Sequence, residues 1–331
     1  MNRRSFLKTA VAGPALAWPF LVCSVSVRDL TMADDEVLLR AEEHIAQHRR
    51  GPGTVAVRTA DGRPVPGAIV RLEQIRHAFL FGCNLFRFGQ INDPDREQAY
   101  RERFAALLNY ATLPFFWAGY EPKRGYPQYA STDEMVDWCQ RQGILCKGHP
   151  LVWDHPVSAP EWLPVDPGDV QRLSTERVRD IVERFTGRIN IWDVVNEPTD
   201  LTRFLNPMNT TAVRLGAVPF TRLHLRVART ANPAATLLIN DYLTTAEYYR
   251  ILEGLHEDGK PVFDAIGLQS HMHEVRWPLQ NIWEICDRYG RLGVPIHFTE
   301  TSVISGRRLR EHLWGETTPE GEARQANEVT K

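Results

Sequence analysis

The stretch Trp192-Asp193-Val194-Val195-Asn196-Glu197 decides how this chain is expected to fold. A short apolar run that ends in polar residues is typical of a buried β-strand with a functional carboxyl end. Phe298-Thr299-Glu300, much later in the chain, has the same pattern. Two strand-end carboxylates are what glycosidic bond cleavage requires, because one must be protonated to assist the leaving oxygen and the other must be ionised.

Length and composition set the limits of the prediction. The 331 residues are enough for one large α/β barrel or for two ordinary domains, and 43% of them are apolar. With 39 basic and 41 acidic residues, no strong charge excess attracts nucleic acid or an anionic membrane. The nine tryptophans and nine tyrosines could serve the core or form flat platforms for sugar rings.

The N-terminus has the features of an export signal. Arg3-Arg4-Ser5-Phe6-Leu7-Lys8 and the apolar run that follows resemble a twin-arginine signal, which predicts a signal peptide over residues 1–30. A basic start before a membrane anchor is the alternative. The apolar run is too short and too interrupted by proline for a spanning helix, so we expect a periplasmic or secreted protein without a membrane span.

No cofactor or metal site is expected. The cysteines after residue 30 show no metal-type spacing, and no glycine-rich phosphate loop occurs. Cys139 and Cys146 are close enough in sequence to form a disulfide after export, and free buried thiols are the alternative.

The region before residue 77 is predicted to be a lead-in of one helix and one hairpin. Residues 34–50 have an amphipathic pattern with Val37, Leu38, Ala41 and Ile45 on one face. Residues 54–59 and 65–75 alternate on either side of Asp61-Gly62, a strong turn signal.

From residue 77 onward, short apolar strands alternate with helical stretches, which predicts parallel strands joined by helical crossovers. Strands are predicted at 79–83, 107–112, 145–147, 189–195, 236–239, 265–268 and 295–299, and helices near 95–106, 132–142, 169–186, 219–231, 244–258 and 278–292. A (β/α)8 barrel over residues 77–331 explains this better than a nucleotide-binding sheet does.

Only seven strands are found, not eight. The residues after Glu300 are polar and include a predicted helix at 320–331, with no apolar strand to close the barrel. The prediction is therefore a barrel that lacks its last strand, either because the chain is truncated or because it closes in an unusual way. We favour truncation.

The motifs resemble those of glycoside hydrolase family 10, whose typical activity is retaining endo-β-1,4-xylanase. The resemblance covers residues 77–330 and rests on five segments in order: Gly148-His149-Pro150-Leu151-Val152-Trp153, Trp192 to Glu197, Ile239-Asn240-Asp241-Tyr242, Gly267-Leu268-Gln269-Ser270-His271 and Thr299-Glu300.

The resemblance implies Glu197 as general acid/base and Glu300 as nucleophile, both at the carboxyl ends of barrel strands. An ionised Glu300 would raise the pKa of Glu197 and keep it protonated. The resemblance also assigns substrate contacts, for which a purely structural role is the alternative at each histidine and at the tryptophan: His149, Trp153, Asn196, Gln269, His271 and, with weaker support, Asn240 and Tyr242.

Several positions depart from the family pattern. The second strand lacks the lysine and asparagine that hold sugars on the nonreducing side, and Phe115, Phe116 and Trp117 stand there instead. Asp154 replaces a histidine. Ser302 replaces an aspartate that would support His271, and the last strand with its sugar-binding tryptophans is not found.

Three functions remain open at this stage. The first is an exported xylanase, the second is a hydrolase of another β-glycan on the same barrel, and the third is a non-catalytic glycan-binding or sensing domain. A polysaccharide partner and a monomer are expected in the first two cases.

Overall fold

The computed structural model describes residues 27–75, 77–201, 203–273, 276–310 and 313–330, with side chains from Asp34 onward. The signal predicted at the N-terminus lies outside the described residues up to residue 26. In the described part of the chain, no helix is both long and apolar enough to cross a membrane.

The chain divides into two compact units. The first contains the described residues up to Arg50 together with residues 278–280, and the second contains residues 51–277 and those from 281 onward. In the first unit, helix α1 (Val27–His48) begins before the predicted residue 34, and the Asp34 carboxylate accepts a hydrogen bond from the Leu279 backbone N–H (3.2 Å). The domain boundary predicted at residue 76 stays a prediction.

The predicted hairpin around Asp61-Gly62 is reduced to its turn. Gly62 has φ +88°, the left-handed conformation that a glycine tolerates. Arg58 pairs with Pro64, and the Val65 N–H donates to Val57 O (3.0 Å). The alternating residues on either side form no further strand pairing within the described residues.

The second unit contains a seven-stranded sheet whose pairs are all parallel, in the order β1-β2-β3-β4-β5-β8-β9. Each of the seven predicted strands is present, with ends shifted by a few residues. The strands are β1 (Gly82–Asn84), β2 (Tyr110–Pro114), β3 (Leu145–His149), β4 (Ile191–Asn196), β5 (Thr236–Asp241), β6 (His256–Glu257), β7 (Lys260–Pro261), β8 (Ala265–Met272), β9 (Ile296–Val303), β10 (Gly306–Arg310) and β11 (Leu313–Thr317).

Helices connect the successive strands of the sheet. Two short ones, at Trp117–Tyr120 and Pro207–Leu215, are not predicted by the sequence pattern. After α1 the helices are α2 (Pro94–Leu107), α3 (Trp117–Tyr120), α4 (Tyr129–Gln142), α5 (Pro167–Arg184), α6 (Pro207–Leu215), α7 (Ala217–Ala231), α8 (Ala246–Gly254), α9 (Leu279–Gly290) and α10 (Pro319–Thr330).

Helix α5 illustrates how the sequence sets these elements. Asp166 caps its N-terminus by accepting from the Asp169 N–H (3.0 Å), and Pro167 stands at the first position, where no N–H is needed. Val170, Val178 and other apolar residues of the helix form the buried stripe.

The core of the unit is packed around Trp192, Phe115 and Phe185. The Phe115 ring lies 5.1 Å from the Trp192 ring and 5.5 Å from the Phe185 ring, both edge-on. Gly148 faces this cluster, and a Cβ there would meet the Trp192 ring at 2.1 Å. Only glycine therefore lets strand β3 lie against this tryptophan.

The residues after Glu300 supply no strand that closes the barrel, as expected. In the described part of this segment, β10 and β11 pair only with each other, as an antiparallel hairpin outside the seven-stranded sheet. Of the two states left open for Cys139 and Cys146, the structure has the free thiols, and both are buried in the core. The prediction of a (β/α)8 barrel without its last strand is confirmed for the described part of the chain.

Candidate active site

The two predicted carboxylates lie at the same edge of the sheet. Glu197 follows the last residue of β4, and Glu300 lies in β9, which continues past the predicted end to Val303. Strand pairing sets Asn196 of β4 beside Asn240 of β5, and Gln269 of β8 beside Glu300. The carboxyl ends of four strands therefore contribute to one site.

The backbone of Glu197 is in an unusual conformation. Its φ is +55°, in the left-handed region that costs a non-glycine residue about 1–2 kcal/mol. Its N–H donates to the carbonyl of Asn240 (2.7 Å), which helps to hold this geometry. Strain of this kind is common where a side chain must be aimed at a site.

Four side chains donate hydrogen bonds to the Glu197 carboxyl. Oε1 accepts from Gln269 Nε2 (3.1 Å) and Asn196 Nδ2 (3.3 Å). Oε2 accepts from Trp153 Nε1 (3.1 Å) and Arg203 Nη1 (3.1 Å). Because all four contacts are donors, none of them can accept a proton from Glu197.

The pKa of Glu197 is raised to about 7. Burial is the main cause, since the residue is only 7% exposed, and the negative charges of Glu300 and Asp241 act in the same direction. The hydrogen bond from Gln269 and the charge of Arg203 oppose the rise. Glu197 is therefore a carboxyl that can give or take a proton near neutral pH.

Glu300 has the opposite tendency. Burial alone would raise its pKa, but the hydrogen bond from His271 and the charges of His149 and His271 bring the pKa below its usual value. Oε1 accepts from Asn240 Nδ2 (2.6 Å), Oε2 lies 3.1 Å from His271 Nε2, and His149 Nε2 lies 3.7 Å from Oε1. This carboxyl is held in its ionised form.

The His149 ring is held by a buried ion pair between Asp193 and Lys147. Asp193 Oδ2 accepts from Lys147 Nζ (2.6 Å) and from His149 Nδ1 (2.7 Å), and both Asp193 and Lys147 are almost fully buried. Although burial would raise the pKa of Asp193, the charge of Lys147 and the bond from His149 lower it to about 2. With Nδ1 bound to Asp193, the His149 ring presents Nε2 to Glu300.

His271 is oriented by a serine. Its Nδ1 lies 2.8 Å from Ser302 Oγ, which lies 2.8 Å from His273 Nε2. The expectation that Ser302 removes the support of His271 is therefore wrong, since a hydroxyl makes the hydrogen bond expected of an aspartate, though without its charge. Gln269 and His271, two residues apart on β8, reach Glu197 and Glu300 from the same face of the strand.

One side of the site is aromatic. Trp153 stacks on His155 with ring centroids 4.3 Å apart, and Phe116 lies 6.2 Å from Trp153 and 5.7 Å from His149. Phe115 and Trp117 cannot stack on a sugar, because both are buried in the core. Of the three aromatic residues after β2, only Phe116 borders the site.

Tyr242 lies at the rim and reaches Glu197 only indirectly. Its hydroxyl donates to Asp200 Oδ2 (2.8 Å), and its ring lies 5.4 Å from the guanidinium carbon of Arg203, which bonds Glu197. The Asp154 carboxylate is buried and accepts a hydrogen bond from Asn209 Nδ2 (2.9 Å).

The match to known families fits this geometry. Residues 79–330 match the profile of glycosyl hydrolase family 10, which is well over half of the chain. The chain belongs to glycosyl hydrolase family 10.

Proteins of plants and bacteria are similar to this chain. "Endo-1,4-beta-xylanase 5" of Arabidopsis thaliana is 27% identical over 299 residues, which cover 84% of this chain and 50% of that protein. The solved structure "GH10 from Paenibacillus barcinonensis" has a TM-score of 0.61 and 25% identity, covering 75% of this chain and 76% of its own. The "Thermobacillus composti GH10 xylanase" has a TM-score of 0.55 and 27% identity, covering 69% and 72%.

The chain spans about half the length of the curated relatives it matches. Within the described residues, no cluster of three or more histidine, cysteine or acidic side chains is placed to hold a metal ion.

Sequence reasoning missed three functional candidates in this family 10 site. Lys147 and Asp193 are charged residues in strands that the sequence predicts to be buried. Because a charged side chain is rarely buried without a partner, their positions indicate a buried ion pair. Arg203 lies in the loop after β4, where no local pattern predicts that its side chain reaches Glu197.

Proposed function

We propose that this chain is an exported retaining β-glycanase that hydrolyses internal β-1,4-xylosidic bonds. The observation that carries the proposal is a short chain of hydrogen bonds between the two carboxyls. Asn240 Nδ2 donates to Glu300 and to Asn196 Oδ1 (2.8 Å), and Asn196 Nδ2 donates to Glu197. Two carboxyls with opposite pKa shifts thus share one site, which is what acid/base and nucleophile roles require.

In the first step, Glu197 donates its proton to the leaving glycosidic oxygen while the Glu300 carboxylate attacks the anomeric carbon. The sugar–oxygen bond breaks, and a covalent glycosyl-enzyme ester forms. Ester formation removes the negative charge of Glu300, which lowers the pKa of Glu197. Glu197 then accepts a proton from the water that attacks the anomeric carbon, and Glu300 departs as a carboxylate.

The other predicted site residues are proposed to hold the substrate. Asn196 lies beside the acid/base, where its amide can bond a sugar hydroxyl next to the reacting carbon. His149 and His271 are proposed to bond sugar hydroxyls while their other ring nitrogens are fixed by Asp193 and Ser302. Trp153 and Tyr242 are proposed to form the aromatic contacts, and Gln269 to position Glu197.

We propose xylan as the substrate because similar proteins of plants and bacteria carry the name endo-1,4-beta-xylanase. The decisive experiment measures reducing sugar released from β-1,4-xylan, mixed-linkage β-glucan and β-mannan. It compares the wild type with Glu197→Ala and Glu300→Ala, and with Glu176→Ala as a matched surface control.

We expect release from xylan that falls at least a hundredfold in both site variants and is unchanged in the control. Release that is independent of both glutamates would contradict the proposal. Release from glucan or mannan alone would favour another β-glycan, and binding without turnover would favour a glycan-binding domain.

Export is a separate part of the proposal. We propose that residues 1–30 act as a twin-arginine signal and that the protein works as a monomer in the periplasm or outside the cell. Arg3→Lys combined with Arg4→Lys should retain the protein in the cytoplasm of a twin-arginine-competent bacterial host, as measured by cell fractionation. Export of this double variant at the wild-type rate would contradict the twin-arginine route.

A further inference from the structure

Arg203 places a cation beside Glu197. It lies in the loop between β4 and α6, and its Nη1 donates to Glu197 Oε2 (3.1 Å). Its guanidinium carbon lies 5.0 Å from the Phe204 ring and 5.4 Å from the Tyr242 ring, both within cation–π range. The side chain is nevertheless 42% exposed, so solvent or a ligand can reach it.

Most of the guanidinium remains available for another partner. In the part of the chain that the structure describes, its one hydrogen bond is the contact through Nη1. The planar group carries five N–H donors in a fork that matches the two oxygens of a carboxylate. The two aromatic rings limit the positions of this fork and so reduce the entropy lost on binding.

Arg203 contacts the Glu197 oxygen that is not linked to Glu300 by the hydrogen bonds through Asn196 and Asn240. Oε1 of Glu197 bonds Asn196, which is linked through Asn240 to Glu300. Oε2 instead bonds Arg203 and Trp153. In a double displacement, the nucleophile binds one side of the cleaved bond and the acid protonates the departing oxygen on the other. Because Arg203 contacts the acid, it lies near the position of the departing oxygen.

Catalysis also removes the present counter-ion of Arg203. The first step needs Glu197 in its protonated, neutral form, and in that form its ion pair with Arg203 is lost. The nearby carboxylate of Asp200 is engaged by the Tyr242 hydroxyl. In the reactive state, the partly exposed Arg203 guanidinium therefore contacts a neutral carboxyl group and has no anion bound to it there.

We propose that Arg203 binds a carboxylate carried by the glycan on the leaving-group side, so that the site selects chains with a uronic acid substituent there. This inference rests on the proposed function, because it assigns Glu197 the acid role. With a neutral glycan bound, the Arg203 guanidinium would bind only water on that side. The carboxylate of a uronic acid would instead accept charge-assisted hydrogen bonds from it.

Binding measurements test this without relying on turnover. Calorimetry would compare a xylo-oligosaccharide that carries one uronic acid with the same compound after reduction of its carboxyl group to an alcohol. The protein is the full chain with Glu197→Gln, which removes the acid so that the ligand stays intact and gives Arg203 the neutral neighbour of the reactive state. Arg203→Gln, Arg203→Lys and the exposed α6 control Arg214→Gln are each added to it.

We expect the acidic oligosaccharide to bind about tenfold more tightly than the reduced one. Arg203→Gln should abolish this preference, Arg203→Lys should keep part of it, and Arg214→Gln should leave it unchanged. Equal affinity for the two ligands, or a preference that survives Arg203→Gln, would overturn the inference. Failure of the proposed function would instead be seen as no sugar release by the wild type from any xylan.

Discussion

The buried ion pair of Asp193 and Lys147 leads to a quantitative prediction for the free energy of unfolding. Asp193→Asn removes one charge and keeps the shape, because the amide nitrogen can occupy the position of Oδ1, which has no hydrogen-bond partner, while Oδ2 stays an acceptor. Lys147, whose side chain is 1% exposed, would then be a buried cation without an anion. We expect the variant to be less stable because a buried, unpaired charge is costly.

Two arguments give the magnitude. The pKa of Asp193 is about 2 in the folded protein against an ordinary 3.8, which corresponds to about 2.5 kcal/mol of stability at neutral pH. Removal of one partner from a buried pair costs about 3–5 kcal/mol. We therefore expect a loss of about 3 kcal/mol at pH 7, or about 4 °C in the melting temperature of a chain of this size.

The pH dependence of this contribution has a definite sign. Because the pKa of Asp193 is lower in the folded state, its contribution is complete above about pH 4 and decreases as the pH falls toward 2. The stability difference between wild type and variant should therefore narrow in this acidic range.

Equilibrium urea denaturation would measure the effect. The double variant Asp193→Asn with Lys147→Met should recover most of the lost stability, because it removes the unpaired cation as well. Glu176→Gln breaks the exposed pair between Glu176 and Arg172 and should change the stability by less than about 0.5 kcal/mol. An Asp193→Asn protein as stable as the wild type, or a double variant weaker than the single one, would refute the reasoning.

Three further predictions concern the site. kcat/KM should fall as the pH rises through about 7, because Glu197 loses its proton there. On the acid side, the rate should fall only below pH 4.5, because the pKa of Glu300 is lowered. A rate that still rises at about pH 9 would contradict this prediction. Glu300→Gln should lower the pKa of Glu197, as measured by NMR titration, because a nearby negative charge is removed, and an unchanged or higher value would argue against the coupling. Gly267→Ala should reduce kcat/KM about a hundredfold, since its Cβ would lie 2.6 Å from Asn240 Oδ1 and displace that amide. The control Gly290→Ala has open space around its Cβ and should have wild-type activity. Equal rates for the two variants would contradict this role of Asn240.

The seven parallel strands could be predicted because a strand buried on both faces is a nearly continuous apolar run. Ile189–Val195 and Thr236–Ile239 are such runs. The strand ends were less accurate, because residues such as Asn240 and His271 look like loop residues in the sequence. The sheet pairing and the site contacts keep them in strands β5 and β8.

The contacts that could not be predicted depend on which strands pair. Asp193 lies next to His149 and Lys147 because β3 and β4 are neighbours in a defined register, and sequence does not give that register. The hairpin β10–β11 has no alternating pattern, since its first strand is Gly-Arg-Arg-Leu-Arg. Arg203 is placed by a loop conformation, for which no periodic signal exists.

The most direct test of the account traps the covalent intermediate. A 2-deoxy-2-fluoro xylobioside with a dinitrophenyl leaving group should form the glycosyl-enzyme and hydrolyse slowly, because fluorine destabilises both transition states. Proteolysis and mass spectrometry then locate the sugar. We predict a single adduct on the peptide that contains Glu300, and none in Glu300→Ala. An adduct on another residue, or turnover of xylan by Glu300→Ala at the wild-type rate, would contradict the assignment of Glu300 as nucleophile and Glu197 as acid/base.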